Sequence, residues 1–216
     1  MSIITIATSK GGAGKTTLAR LLVGLLSQGG YKVAAVDTDL NHTLTDWVNT
    51  LSEYPVTAEH ELDEAKLVPL IAQLHDAHDV VVVDTAGAAS QATIFAIGCA
   101  DLVLVPVQTS SADVVEAIKT MNLIKSAGLM MKRDVLARVV LNAHQPNTNL
   151  SAHIEKELTK AKLPVMKAKL QRLVAWQEMS FTGIVPVTAL AGIQGRNFVE
   201  EIENFGALPE NKKLAS

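Results

Sequence analysis

Apolar residues along this chain follow two rhythms. Short runs dominated by β-branched and aliphatic residues read as buried strands: Ile3 to Thr8, Lys32 to Val36, Val80 to Val83, Leu102 to Val107, Val135 to Leu141 and a short sixth, Leu163 to Met166. Between them the spacing changes to three and four. Leu18, Leu21, Leu22, Leu25 and Leu26 predict a helix that stops near Gln28-Gly29-Gly30, where glycine supplies a left-handed end. Further helices are predicted over Asp63 to His75, with Pro69 kinking or shortening it, and over Ala92 to Ile97. A Ser110/Asp113 capping box opens the next, to about Ser126. Leu150 to Ala161, Leu170 to Met179 and Gly195 to Asn204 complete the set. Residues 40–60 are mixed and polar and read as short helices and loops. Strands that are apolar throughout and alternate with helices predict an α/β fold: a doubly wound, mostly parallel sheet with helices on both faces. A length of 216 residues suffices for one core, so one domain over residues 1–216 is expected.

The junction of the first strand and helix carries the chemistry. It reads Lys10-Gly11-Gly12-Ala13-Gly14-Lys15-Thr16-Thr17. Glycines on a strand-to-helix turn let successive backbone N–H groups point at a polyphosphate, and the helix N-terminus adds positive potential. Lys15 reaches the β- and γ-phosphates and the Thr16 hydroxyl ligates Mg²⁺, as in the pattern G-x-x-x-x-G-K-[ST]. Ser9 stands where that pattern has its first glycine, and Lys10 precedes the glycine pair instead. Asp37, Asp39 and Asp84 end the second and third strands, where doubly wound sheets bind ligands. Carboxylates there suit Mg²⁺ on a nucleotide, which takes oxygen ligands and oriented waters; helix capping is the plainer alternative. Asn142, ending the fifth strand, either contacts a base edge or caps a turn.

The form K-G-G-x-G-K-[ST]-T resembles the deviant Walker A motif of the ParA/MinD family of P-loop ATPases, most like its small ParA-type partition members. The resemblance implies a nucleotide-sandwich dimer formed on ATP, in which Lys10 crosses to the partner's nucleotide. Val81 to Gly87 resembles the family's Walker B motif, so that Asp84 holds Mg²⁺ through water. Val36-Asp37-Thr38-Asp39 resembles its Walker A′ motif: Asp37 supports the Mg²⁺ shell and Asp39 positions the attacking water. By the same resemblance Lys10, Lys15 and Asp39 carry catalysis, residues 10–17 with Asn142 bind ATP, and Asn142 contacts adenine. The family often continues Asp39 as Pro-Gln, whereas Leu40-Asn41 follow here. Thr43, Leu44 and Trp47 look like a stretch of small partition proteins, with Trp47 read as packing. Pro106 matches a proline that shapes the turn below the nucleotide. The implied activity is slow, Mg²⁺-dependent ATP hydrolysis that segregates or positions DNA. Its implied partners are non-specific DNA and a ParB-like or other cargo-bound activator. The alternative is a protein cargo or conjugative DNA transfer, with an acidic protein on the basic face.

Charge adds a possible partner surface. The net charge is −3, yet Lys119 to Arg172 holds eleven Lys/Arg against three acids, a net of +8, and the remainder carries −11. Such asymmetry points to a polyanion on Lys156, Lys160, Lys162 and Arg172; solvated helix faces are the alternative. The tail from Asn197 to Lys213 is acidic and then polar, unlike a basic membrane-binding helix, so no membrane partner is expected. Cys99 alone cannot form an internal disulfide or supply the two cysteines of a nitrogenase iron protein subunit, and it reads as a small hydrophobe. The histidines lack ligand spacing and no zinc site is predicted. The first residues enter a strand directly, so no signal peptide is expected. The expected location is the cytoplasm, on the nucleoid.

Overall fold

A computed structural model describes residues 1–87 and 90–210. Six strands form one parallel sheet: β1 (Ser2–Ile6), β2 (Val33–Asp37), β3 (Thr57–His60), β4 (Val80–Asp84), β5 (Leu102–Val107) and β6 (Leu136–Leu141), in the order β3-β2-β4-β1-β5-β6. Alternate residues feed two cores. Ile4, Ile6, Val33, Ala35, Val80 and Val82 pack under α1 (Lys15–Gln28), α2 (Thr43–Thr50), α7 (Val174–Thr182) and α8 (Ala189–Asn204). Ile3, Ala34, Val36, Val81 and Val83 pack under α3 (Glu64–Ala77), α4 (Gln91–Cys99), α5 (Ser111–Met131) and α6 (Asn149–Lys160). Burial on both faces is why the strands read as unbroken apolar runs.

Four expectations change. Residues 57–60 form a strand, β3, inside the stretch read as helices and loops. It is a four-residue edge strand whose side chains alternate between exposed and half-buried, so it carries no apolar run. Leu163 to Met166 is no sixth strand: Val139 alone bridges to Val165, taking Pro164 and Met166 as backbone partners. Residues 170–173 are likewise extended, Leu170 and Gln171 lying along the chain that leaves β6, so α7 starts later than expected. Pro69 does not shorten α3, which runs through it to Ala77 behind an Asp63 cap.

Pro106 sits inside β5, opposite Val140 of β6. Leu104 accepts the Ala7 N–H, so Pro106, two residues on, faces the same side at a level where β1 has already turned into the glycine loop. Its missing N–H costs the sheet nothing there.

Candidate nucleotide site

The sheet register assembles the site. Ile6 pairs with Asp84, and Asp84 pairs with Asp37, so the ends of β1, β4 and β2 lie side by side at one sheet edge. From β1 the chain turns through residues 8–14 into α1, with Gly12 at φ 75° and Gly14 at φ 92°, a region that favours glycine. A Cβ on Gly12 would meet only open space, whereas one on Gly14 would fall 2.1 Å from the Asn142 amide nitrogen. Gly12 thus serves a backbone turned toward solvent, and Gly14 serves close packing behind the loop. Asn142 donates to the Ala13 carbonyl at 3.0 Å and accepts from Ala143 N–H at 3.0 Å. Its amide braces the loop through one N–H and one oxygen lone pair, which leaves one donor and one acceptor site for a further partner such as a base edge.

Lys15 opens α1, 8% exposed. Burial lowers its pKa, and the carboxylates of Asp84 and Asp39 counter that shift, so the ammonium lies among acids in a pocket short of solvent. The Thr16 hydroxyl donates to Asp84 Oδ2 at 2.7 Å, while the buried Asp84 Oδ1 has no hydrogen-bond partner. Burial raises the Asp84 pKa to about 7, with the Thr16 bond opposing and Asp37 reinforcing the rise. An orphaned carboxylate oxygen beside a hydroxyl, at the N-terminus of a glycine-loop helix, is an oxygen donor set that fits Mg²⁺.

The other two acids differ from it. Asp37 is fully engaged by backbone: Oδ1 accepts from Asp39 N–H at 2.9 Å, and Oδ2 accepts from Leu44 and Thr45 N–H at 2.8 and 3.2 Å. In this state Asp37 caps α2, the plainer role its position allowed. Asp39 is half-buried, and its Oδ1 accepts from the backbone and side-chain amides of Asn41 at 3.0 and 2.8 Å. Asn41 therefore orients that carboxylate, although the departure from Pro-Gln left its role unread. Trp47 is buried, donates its indole N–H to the Met179 carbonyl and faces the Arg20 guanidinium 5.8 Å away, so it packs α2 onto α7.

Lys10 folds back within its own chain. Its ammonium lies 2.7 Å from Oδ1 of Asp113, whose second oxygen accepts the Ser110 hydroxyl. Asp113 was legible only as half of a capping box; a buried acid one turn into α5 as a counter-ion for Lys10 depends on the strand order. Lys156 and Lys160 share the exposed side of α6, four residues apart, and Lys160 pairs with Glu157. Lys162 lies beyond the helix cap at φ 53°, and exposed Arg172 is tied through its N–H to the His144 carbonyl. His144 precedes α6 and Lys162 follows it, so Arg172 is anchored near the start of a helix about 18 Å long and Lys160 and Lys162 stand at its other end. Lys169 and Arg138 are turned to other tasks, on Glu155 and over the Phe205 ring.

Cys99 is half-buried, and burial raises its thiol pKa. His78 is buried between the Leu74 carbonyl and the Thr57 hydroxyl. Among the described residues no His, Cys, Asp and Glu group of three or more is placed to hold a metal, and no helix is long and apolar enough to cross a membrane. Residues 211–213 of the polar tail lie outside the described residues.

A family model described as VirC1 protein matches residues 1–211. Protein ParA of Rhizobium radiobacter is 36% identical over 149 residues, 68% of this chain and 66% of that protein, just under two thirds of its length. Protein virC1 of the same organism is 28% identical over 199 residues, 88% of this chain and 85% of its own. Maintenance of carboxysome distribution protein A of Halothiobacillus neapolitanus is 30% identical over 209 residues, 94% and 93% of the two chains. Among solved structures, the Cyanothece McdA–ATP complex superposes with a TM-score of 0.81 at 18% identity, over 98% of this chain and 99% of that one. The cell division ATPase MinD of Pyrococcus furiosus gives 0.78 at 21%, over 94% and 99%. At these identities the structures speak for the fold.

Proposed function

The chain belongs to the VirC1 protein family and is a ParA/MinD-type P-loop ATPase, and on that premise we propose that it dimerises on ATP, binds DNA without sequence preference and hydrolyses ATP slowly to segregate or position a DNA cargo. The observation that carries the reading is the juxtaposition at one sheet edge of the glycine loop, the unpartnered Asp84 oxygen beside Thr16, and Asp39 close enough to Lys15 to influence its charge.

Each residue has a task in this scheme. Backbone N–H groups of residues 11–16 cradle the phosphates, and Lys15 neutralises charge on the β- and γ-oxygens. Thr16 and Asp84 would hold Mg²⁺, with Asp37 fixing the loop behind them, and the ion would supply positive charge against that developing on the phosphate oxygens. Asp39, oriented by Asn41, accepts a hydrogen bond from the attacking water. Lys10 leaves Asp113 to reach the phosphates of a second copy. Arg20 is the arginine nearest these motifs, but its guanidinium binds the Thr43 carbonyl at 2.9 Å. No cis arginine finger is supplied by that residue, in keeping with slow turnover until a cargo-bound activator acts.

The test is light scattering with a non-hydrolysable ATP analogue, followed by binding to random duplex DNA across a salt series. Dimers and salt-sensitive DNA binding are expected only with nucleotide; sequence-selective or nucleotide-independent binding would count against the scheme. A second reading has its own support: the Halothiobacillus relative covers almost the whole chain, and its name assigns it to carboxysome distribution. ATP-dependent dimers that ignore DNA would favour a protein cargo, with the cations on and beside α6 docking on an acidic partner.

A further inference from the structure

Strand β3 ends beside the Asp39 loop, and its last residue touches it. His60 Nε2 lies 3.1 Å from the Asp39 carbonyl oxygen. A carbonyl only accepts, so Nε2 carries the hydrogen and donates it. The same oxygen also accepts the His42 backbone N–H at 3.1 Å, so two donors fix that peptide. The exposed His42 ring lies against the His60 ring, their centroids 3.5 Å apart and their planes tilted by 35°. Two more bonds join the same elements: Glu61 N–H to the Asp37 carbonyl at 3.1 Å, and the Thr45 hydroxyl to the Glu59 carbonyl at 3.4 Å.

The loop needs such support from outside. Leu40, next to Asp39, is 77% exposed and gives it no packing. Asn41 orients the carboxylate, but Asn41 rides on the same loop and moves with it. On its amide side the Asp39 loop is held to the sheet by Asp37 Oδ1, which accepts Asp39 N–H, and by the Asp84 carbonyl, which accepts Thr38 N–H; on its carbonyl side His60 adds a side-chain contact from the neighbouring strand. A catalytic group has to be held within about 0.5 Å of its working position, and a displacement of about 1 Å can cost up to 10²-fold in rate.

The geometry points to His60, backed by His42, as a positioning residue for ATP hydrolysis: it holds the Asp39 peptide so that the carboxylate meets the attacking water. This rests on Asp39 as the residue that orients that water. His60 stands off the phosphate cradle, so its effect falls on turnover and not on nucleotide affinity.

The experiment compares steady-state ATP hydrolysis and binding of a fluorescent ATP analogue in His60→Leu, His60→Gln, His42→Asn and Asp39→Ala. His60→Leu keeps bulk but loses the donor: kcat falls about tenfold while KM and analogue affinity hold. His60→Gln returns an N–H at similar reach and recovers most of that loss, which a merely structural role would not predict. His42→Asn removes the stacked ring while tolerating the left-handed backbone, φ 52°, and gives a smaller fall. In an Asp39→Ala background His60→Leu changes nothing further, because both act on one step. Wild-type kcat in His60→Leu, a rise in KM at constant kcat, or failure of Gln to recover activity overturns the inference. Should His60→Leu not fold, an unchanged kcat in His42→Asn overturns it instead. Full turnover by Asp39→Ala would sink the reading of Asp39 itself; an inactive Asp39→Ala beside an undiminished His60→Leu sinks only the role of His60.

Discussion

Asp84 shows how one residue trades stability for a ligand. Its carboxylate is buried, one oxygen is unpartnered, and burial raises its pKa from 3.8 to about 7. Because the folded-state value lies above the unfolded one, the neutral form favours the fold. That contribution is full below about pH 4 and is lost as pH rises through about 7. At neutral pH the nucleotide-free protein therefore carries a strained charge that a bound cation would relieve. Asp84→Asn should raise its thermal midpoint, read by differential scanning fluorimetry, and abolish Mg²⁺-dependent hydrolysis. An unchanged midpoint would mean that the carboxylate is not strained. Lys15 is the matching cation: Lys15→Ala should lose binding of a fluorescent ATP analogue, and retained affinity would refute the phosphate cradle. The placement of both residues was legible in the sequence because it depends on the strand and turn each one sits in. Asn41 and His60 were not, since each acts through a loop shape that no local pattern encodes.

At the scale of elements, two helices extend past their expected ends, and in each a glycine is a point of close approach and not of backbone freedom. Helix α5 passes the predicted end near Ser126 because a Cβ on Gly128 would stand 2.7 Å from the Arg133 carbonyl, where the chain folds back onto the helix. Helix α8 begins at Ala189, ahead of the expected Gly195, because Gly192 admits the Val187 carbonyl and Gly195 packs against Leu25. The phosphate loop uses both properties in one residue. Gly14→Ala places a methyl against Asn142 at a backbone angle that costs about 1–3 kcal/mol for any other residue. We expect a lower urea midpoint and lost nucleotide binding. Adding Asn142→Ala should recover part of the stability by removing the collision, but not the share due to φ 92°. Equal midpoints for the single and double variants would show that the collision contributes nothing.

At the scale of the whole molecule, we propose Lys10 as the switch between one chain and two. In the single chain its ammonium is held by Asp113, so pairing through Lys10 would have to break that contact. Lys10→Ala should bind nucleotide and remain monomeric. Asp113→Asn weakens the hold and should yield ATP-dependent dimers at lower protein concentration, measured by light scattering; a dimerisation midpoint equal to wild type would exclude the contact as a brake. Reversing Lys156, Lys160 and Lys162 should weaken binding to random duplex and flatten its salt slope, while ATP turnover holds. A loss of turnover would place that face in catalysis.

The sequence by itself determined the layered α/β fold, the phosphate loop and the acids at the strand ends. These follow from periodicity and from residue types whose chemistry is local: glycine backbone freedom, a lysine charge, a carboxylate after a buried strand. Tertiary structure alone decided which acid keeps an open oxygen, which one caps a helix, and what holds Lys10 and Asp39. Those outcomes depend on the register that sets Asp84 beside Asp37 and on an edge strand too short and polar to announce itself. The partners concerned lie far apart in the chain, Lys10 with Asp113, Thr16 with Asp84 and His60 with Asp39, and only the strand order brings them within bonding distance.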